Sequence, residues 1–187
     1  MNIKKIINIC KKNGQLRIFE GESCQWLSDG CACFPLIDCP FFTESSIVRA
    51  YDIPEKTAEK MLITHEETMP KKLDFSDYSD GETACDYDEP IFGGAIPIKT
   101  QLGIKFIDGK YLAPLAGGDD ELLYIFERTT AGGETYFAIK KGFALVAVVM
   151  PYDCINEKFV DRIKEIYEQC EISLENKIAE REAASNG

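Results

Sequence analysis

Apolar residues come in short runs along most of this chain, separated by turns that carry glycine, proline or aspartate. Residues 3–10, rich in isoleucine and closed by Lys11-Lys12-Asn13-Gly14, predict a first strand. A second strand follows over Gln15 to Glu20, and Gly21 reverses the chain. Gln25 to Leu27 and Cys31 to Leu36 flank Ser28-Asp29-Gly30, and Asp-Gly between apolar runs is a hairpin signal. The first forty residues therefore predict an antiparallel meander. Thr43 before Glu44, Ser45 and Ser46 marks a helix start, with Ile47, Val48 and Tyr51 on one face. A short helix is expected from Pro54, and a strand over 61–64.

The second half is more regular. Strands are expected over 102–107, 122–128, 135–140 and 143–150, with a short helix over 110–116. Pro151 stops the last strand. Beyond it Ile155, Phe159, Ile163, Ile166 and Cys170 recur at helical spacing and predict a long C-terminal helix. The halves are joined by a stretch of different character, with Asp74, Asp77, Asp80, Glu82, Asp86, Asp88 and Glu89 and no base among them. Pro70, Pro90, Gly93 and Gly94 lie at its margins, and it reads as a solvated connection. The expected organisation is an N-terminal sheet-plus-helix unit over 1–70, an acidic connection over 71–95, and a second unit over 96–187. The fold class is α+β, with antiparallel sheets in two βαβββ-like units and a C-terminal helix.

Composition fits an ordinary globular chain, 45% hydrophobic and 28% charged over 187 residues. A chain of this length buries roughly 70% of its unfolded surface and needs neither metal nor disulfide to fold. The net charge of −11 opposes broad attraction to nucleic acid or anionic membrane. The apolar start is interrupted by Lys4, Lys5, Lys11 and Lys12 and is followed by no cleavage site, so the expected location is the cytoplasm, with no membrane contact. There the eight cysteines are expected as thiols.

Cys24, Cys31, Cys33 and Cys39 fall within sixteen residues, but no two are separated by the two-residue turn that zinc ligands favour. Cys31 and Cys33 share one face of the expected strand, with Ala32, Phe34 and Leu36 on the other, as in a strand covered on both faces. Core packing is favoured over metal binding, disulfides or redox chemistry. His65 is the only imidazole, and nothing local places it beside a cysteine. Around Gly81 the acidic stretch fails the calcium-loop pattern, with Tyr78 and Tyr87 where oxygen ligands belong. The glycine pairs at 93–94, 117–118 and 132–133 lack the lysine and hydroxyl of a phosphate loop. No catalytic, cofactor-binding or metal-ligating residue is assigned, and no enzymatic activity is expected.

Residues 1–19 hold five bases and no acid. Lys4, Lys5, Lys11, Lys12 and Arg17, with Lys105, Lys110, Lys140 and Lys141 of the second half, form a candidate phosphate-facing set. The competing account is that such lysines protect exposed strand edges.

The order strand, short helix, strand, strand, strand over GIKFIDGKYLAPL, ELLYIFER, TYFAIKKG and FALVAVVMP resembles the repeating half-domain of DNA sliding clamps. The opening KKIINICKKN and QWLSDGCACFPL also resembles small proteins carried by phages and mobile elements of Firmicutes. The clamp resemblance implies a homo-oligomer that associates with DNA and replication proteins. The alternative is a protein–protein interaction module with no nucleic-acid contact, using the acidic loop or the C-terminal helix.

Overall fold

The computed structural model of this chain describes residues 1–88, 90, 94–116 and 122–185. Glu89, Gly93 and the glycine pair 117–118 of the sequence reading lie outside them. The chain divides into two compact units, Met1–Tyr152 and Asp153–Gly187. The first unit contains the expected unit 1–70 and the part of the expected unit 96–187 up to Tyr152, and strands from both share the eight-stranded sheet.

The chain opens with helix α1 (Ile3–Asn13), where a strand was expected. Ile3, Ile6, Ile7 and Cys10 stand at i, i+3, i+4 and i+7, and the last three are buried. Asn2 caps the start by accepting from the Lys5 amide at 3.1 Å, and Gly14 ends the helix at φ 69°. Here the helical spacing prevails over the β preference of isoleucine, because tertiary packing decides weak propensities.

Strands β1 (Gln15–Glu20), β2 (Gln25–Ser28) and β3 (Ala32–Pro35) then form the expected meander. Helix α2 (Glu44–Ala50) starts in a capping box on Thr43, and α3 (Glu55–Ala58) follows Pro54. They carry the chain back to β4 (Leu62–Glu66), which lies parallel to β1 at one edge. β5 (Thr83–Cys85) arises from the stretch expected to be a connection, and β6 (Ala95–Thr100) starts at its last residue and runs into the expected second unit. β7 (Gly103–Asp108) leads through a single 3-10 turn at Gly109–Tyr111 towards β8 (Leu123–Thr129), β9 (Thr135–Lys141) and β10 (Ala144–Val149).

The α+β class is observed, in one mixed sheet of order β4-β1-β2-β3-β10-β9-β8-β5 and a separate β6–β7 hairpin. The join between sequence-distant segments is β3 against β10, with Cys33 opposite Val148 and Ala32 opposite Val149.

The large sheet is covered on both faces. On the first face Leu16, Ile18, Phe34, Ile139 and Val149 meet Ile6, Ile7 and Cys10 of α1, Ile47 of α2, and Ile96, Ile98 and Ile107 of the hairpin. Each such fully buried aliphatic side chain contributes roughly 1.5–3 kcal/mol. On the second face Phe19, Trp26, Cys33, Tyr136, Ala138 and Val148 meet Met69, Leu73 and Phe75. The first part of the acidic stretch lies across the sheet as a strap, with Leu73 and Phe75 packed on it while most of the stretch stays exposed. Trp26 and Phe75 meet edge to face at 5.0 Å between ring centroids.

The second unit consists of α4 (Glu157–Ser185), started by Asn156 accepting from the Phe159 amide at 3.0 Å. Arg162–Glu165 and Lys164–Asp161 pair along its surface. Among the described residues no helix is long and apolar enough to cross a membrane.

Candidate functional site

The candidate phosphate-facing residues do not form one surface. Lys4, Lys5 and Lys12 are exposed on α1 and Lys11 is half-buried there, on the arc of the helix away from Ile3, Ile6, Ile7 and Cys10. The helix contains no acid, and Lys11 and Lys12 sit in its last turn, where the helix dipole favours a cation. Lys5 donates from Nζ to the Ala113 carbonyl at 3.0 Å, which holds it beside the segment after β7. Lys110 pairs with Asp108 at 2.8 Å and lies 4.8 Å from the Tyr111 ring centre. Lys105 and Lys141 are half-buried on β7 and β9. Arg17 belongs to the other face of the sheet from α1, since its neighbours Leu16 and Ile18 are the residues that α1 covers.

Lys140 is buried, and so is Arg128 of β8. Both meet the carboxylate of Glu82, with Arg128 donating from Nε at 2.9 Å and Nη2 at 2.6 Å to one oxygen while Lys140 donates to the other. Arg128 Nη1 also donates to the Asp74 carbonyl at 3.0 Å, and the Asp74 amide donates to the Tyr136 hydroxyl at 2.9 Å. Asp77 accepts from the Leu145 amide at 2.7 Å. Burial alone would push the Glu82 carboxyl up, but the hydrogen bonds from Lys140 and Arg128 outweigh it and hold it below the usual range. The acids of the strap thus neutralise two bases that the sheet would otherwise bury unpaired. Lys140 is accordingly an internal partner of Glu82.

The Asp29 turn is a second polar centre that sequence reasoning valued only as a hairpin signal. Its buried carboxylate accepts from the amides of Cys31 and Ala32 at 3.0 and 2.9 Å. It also accepts from Asn13 Nδ2 at 2.5 Å and from the Tyr111 hydroxyl at 2.8 Å. One side chain therefore ties the end of α1, the β2–β3 turn and the 3-10 turn. Burial and then the Asp29 charge hold the Tyr111 phenol far above its ordinary value, so it stays a hydrogen-bond donor. Gly30 beside it has φ 92°, and a Cβ there would stand 2.6 Å from Gln15 Oε1.

The cysteines divide by face. Cys33 packs on the second face while Ala32, Phe34 and Leu36 pack on the first, as expected of a strand covered twice. Burial pushes the thiols of Cys10 and Cys33 up to about 12 and about 11, which keeps them protonated and unreactive at neutral pH. Cys31 is exposed. His65 pairs with Glu20 at 2.5 Å across the β4–β1 edge. Among the described residues no three His, Cys, Asp or Glu side chains converge as metal ligands would.

No family model matches the chain, and neither a curated protein nor a solved structure is similar to it.

Proposed function

We propose that this chain is a non-enzymatic, clamp-like DNA-associated protein that turns the lysine face of α1 towards the phosphate backbone. The observation that carries the reading is the placement of Lys4, Lys5, Lys11 and Lys12. Four bases without an acid lie along one helical arc of a chain with net charge −11. Cations concentrated in this way bind phosphates by releasing counterions, against the repulsion of the acidic remainder. The helices α1 and α2 share one face of a continuous sheet, a layering that suits a helix-lined DNA surface. A homo-oligomer is part of the reading. β4 is a terminal strand of the sheet with neither proline nor lysine in Leu62–Glu66, and such an edge is open to another copy.

The test is duplex binding followed by fluorescence anisotropy. Four phosphate contacts predict a slope of log K against log salt of about −3.6, and so roughly a 100-fold loss of affinity between about 50 and about 200 mM salt. Replacing Lys4, Lys5, Lys11 and Lys12 together by Gln keeps helix propensity and should abolish the binding. No binding at about 50 mM salt, or an unchanged slope in the fourfold variant, rejects the reading.

A further inference from the structure

The second face of the sheet carries a feature that the lysine face of α1 does not explain. Reading the register laterally gives one row across all eight strands: Thr64, Arg17, Ser28, Cys33, Val148, Ala138, Phe126 and Ala84. Cys33, Val148 and Ala138 of this row belong to the apolar cluster on this face, and Arg17, Ser28, Cys33 and Val148 border a cavity. Arg17 Nε and Thr64 Oγ1 are buried with no hydrogen-bond partner, and among the described residues they are the two side-chain polar atoms in that condition. They are direct cross-strand neighbours. A buried polar atom left without a partner is unfavourable, and two side by side make a local concentration of unused hydrogen-bonding capacity.

Arg17 is also a wall of a cavity of about 420 Å³ between the sheet and the start of the strap. Two further bases, Lys71 and Lys72, come from the strap, and Glu134 is the one acid that lines the cavity. Both lysines are exposed, and none of the three bases has a carboxylate partner within 4.0 Å among the described residues. Three positive charges against one negative leave a surplus of two, within a chain of net charge −11. The remaining walls include Phe19, Leu73, Val148 and Met150, which are apolar. The Ser28 hydroxyl lines the cavity beside Arg17.

We infer that this cavity binds a small phosphomonoester, with the phosphate held by Arg17, Lys71 and Lys72 and an apolar or ring-shaped body resting on Phe19, Leu73 and Met150. Three features select that class. A phosphate monoester carries about −1.5 to −2 charge at neutral pH, which matches the surplus of two. Its three terminal oxygens offer enough acceptors for a guanidinium and two ammonium groups at once. The apolar walls leave bare inorganic phosphate without the contacts that the rest of the cavity offers, so an attached body adds affinity. A carboxylate supplies one charge and two oxygens and fits less well. The cavity opens on the face of the sheet opposite to α1, so the inference is independent of duplex binding there.

The experiment uses the full-length chain and nitrogen-15 spectra in which the Arg17 Nε–H is followed directly. Phenyl phosphate should shift the Arg17 Nε–H together with the amides of Lys71, Lys72 and Leu73, and should bind at least roughly tenfold more tightly than inorganic phosphate or benzoate. Lys71→Gln with Lys72→Gln should weaken phenyl phosphate roughly tenfold without changing the fold, since both side chains are exposed. Arg17→Met should remove the binding, and its thermal midpoint should no longer rise with added phenyl phosphate. A 5′-phosphorylated oligonucleotide that shifts the same resonances, when its 5′-hydroxyl counterpart does not, would assign the monoester to a DNA end. Phenyl phosphate acting without any response to that oligonucleotide assigns it to a free small molecule. An unmoved Arg17 Nε–H, shifts confined to the α1 lysines, equal binding of benzoate, or full affinity in the double lysine variant would each overturn the inference.

Discussion

The two faces of the eight-stranded sheet are closed by opposite means. On the first face two helices and a hairpin bring aliphatic side chains onto Leu16, Ile18, Phe34 and Ile139. On the second, an irregular acidic strap crosses the sheet, places Leu73 and Phe75 on it beside Met69, and neutralises Arg128 and Lys140 with Glu82. Burial of hydrocarbon is additive and tolerant of substitution, because each side chain brings its own transfer free energy. Burial of charge is conditional, because two bases remain tolerable only while their carboxylate is present. The first cover should therefore fail gradually and the second abruptly.

The largest effect belongs to that condition. Glu82→Ala leaves the side chains of Arg128 and Lys140, 1% and 5% exposed, without their shared carboxylate. Breaking a buried pair in this way costs about 3–5 kcal/mol, measured as a fall in the urea midpoint. The triple change Glu82→Leu, Arg128→Met and Lys140→Met removes the charges together and should recover most of that loss, since apolar replacements of buried ion networks are commonly neutral or better. A triple variant as unstable as Glu82→Ala would show that the network contributes more than the relief of its own desolvation, and the contrast between the faces would weaken.

The next effect is the response to acid. Glu82 and Asp74 are both held below their ordinary carboxyl values, 4.5 and 3.8. For each, burial acts upwards and is outweighed, by Lys140 and Arg128 at Glu82 and by hydrogen bonds from Ser76 at Asp74. A carboxyl with a lower value in the folded than in the unfolded state stabilises fully above its unfolded value. That contribution is lost as the pH falls through the folded value. Stability should be flat above about pH 5 and decline below about pH 4.5, and Glu82→Gln should make the decline shallower. An equally steep decline in that variant would place the acid sensitivity elsewhere.

The same contrast explains which parts of the fold were legible in the sequence. The Asp29-Gly30 hairpin, the Thr43 cap and strands β8 to β10 are local features, fixed by turn chemistry and period-two runs within a few residues. α1 carries two competing signals, since Ile3, Ile6, Ile7 and Cys10 fit a helix while its isoleucine content favours a strand. The strap was illegible for a different reason. Seven acids in a row of sixteen residues look solvated, and nothing near them in sequence discloses that Glu82 meets Arg128 and Lys140, 46 and 58 positions away. For the candidate site, sequence supplied the α1 lysines and Arg17 but could not place Lys71 and Lys72 beside Arg17. That juxtaposition depends on the strap crossing β1.

The smallest effect isolates a single anchor of the strap. Tyr136 lies in the middle of β9, 1% exposed, and its hydroxyl accepts from the Asp74 amide at 2.9 Å. Tyr136→Phe keeps the ring and its packing against the second face and removes only that acceptor. A neutral hydrogen bond of this kind contributes about 1 kcal/mol, so global stability should fall by about that amount. The informative readout is local. The Asp74 amide should exchange with solvent roughly fivefold faster, while the Ile6 and Ile7 amides of α1 on the first face keep their rates once the global change is subtracted. Equal acceleration on both faces would mean that strap and helices open together as one cooperative unit. A response limited to the strap would mean that the second cover can lift while the first stays closed, exposing the Arg17 cavity without unfolding the sheet beneath it.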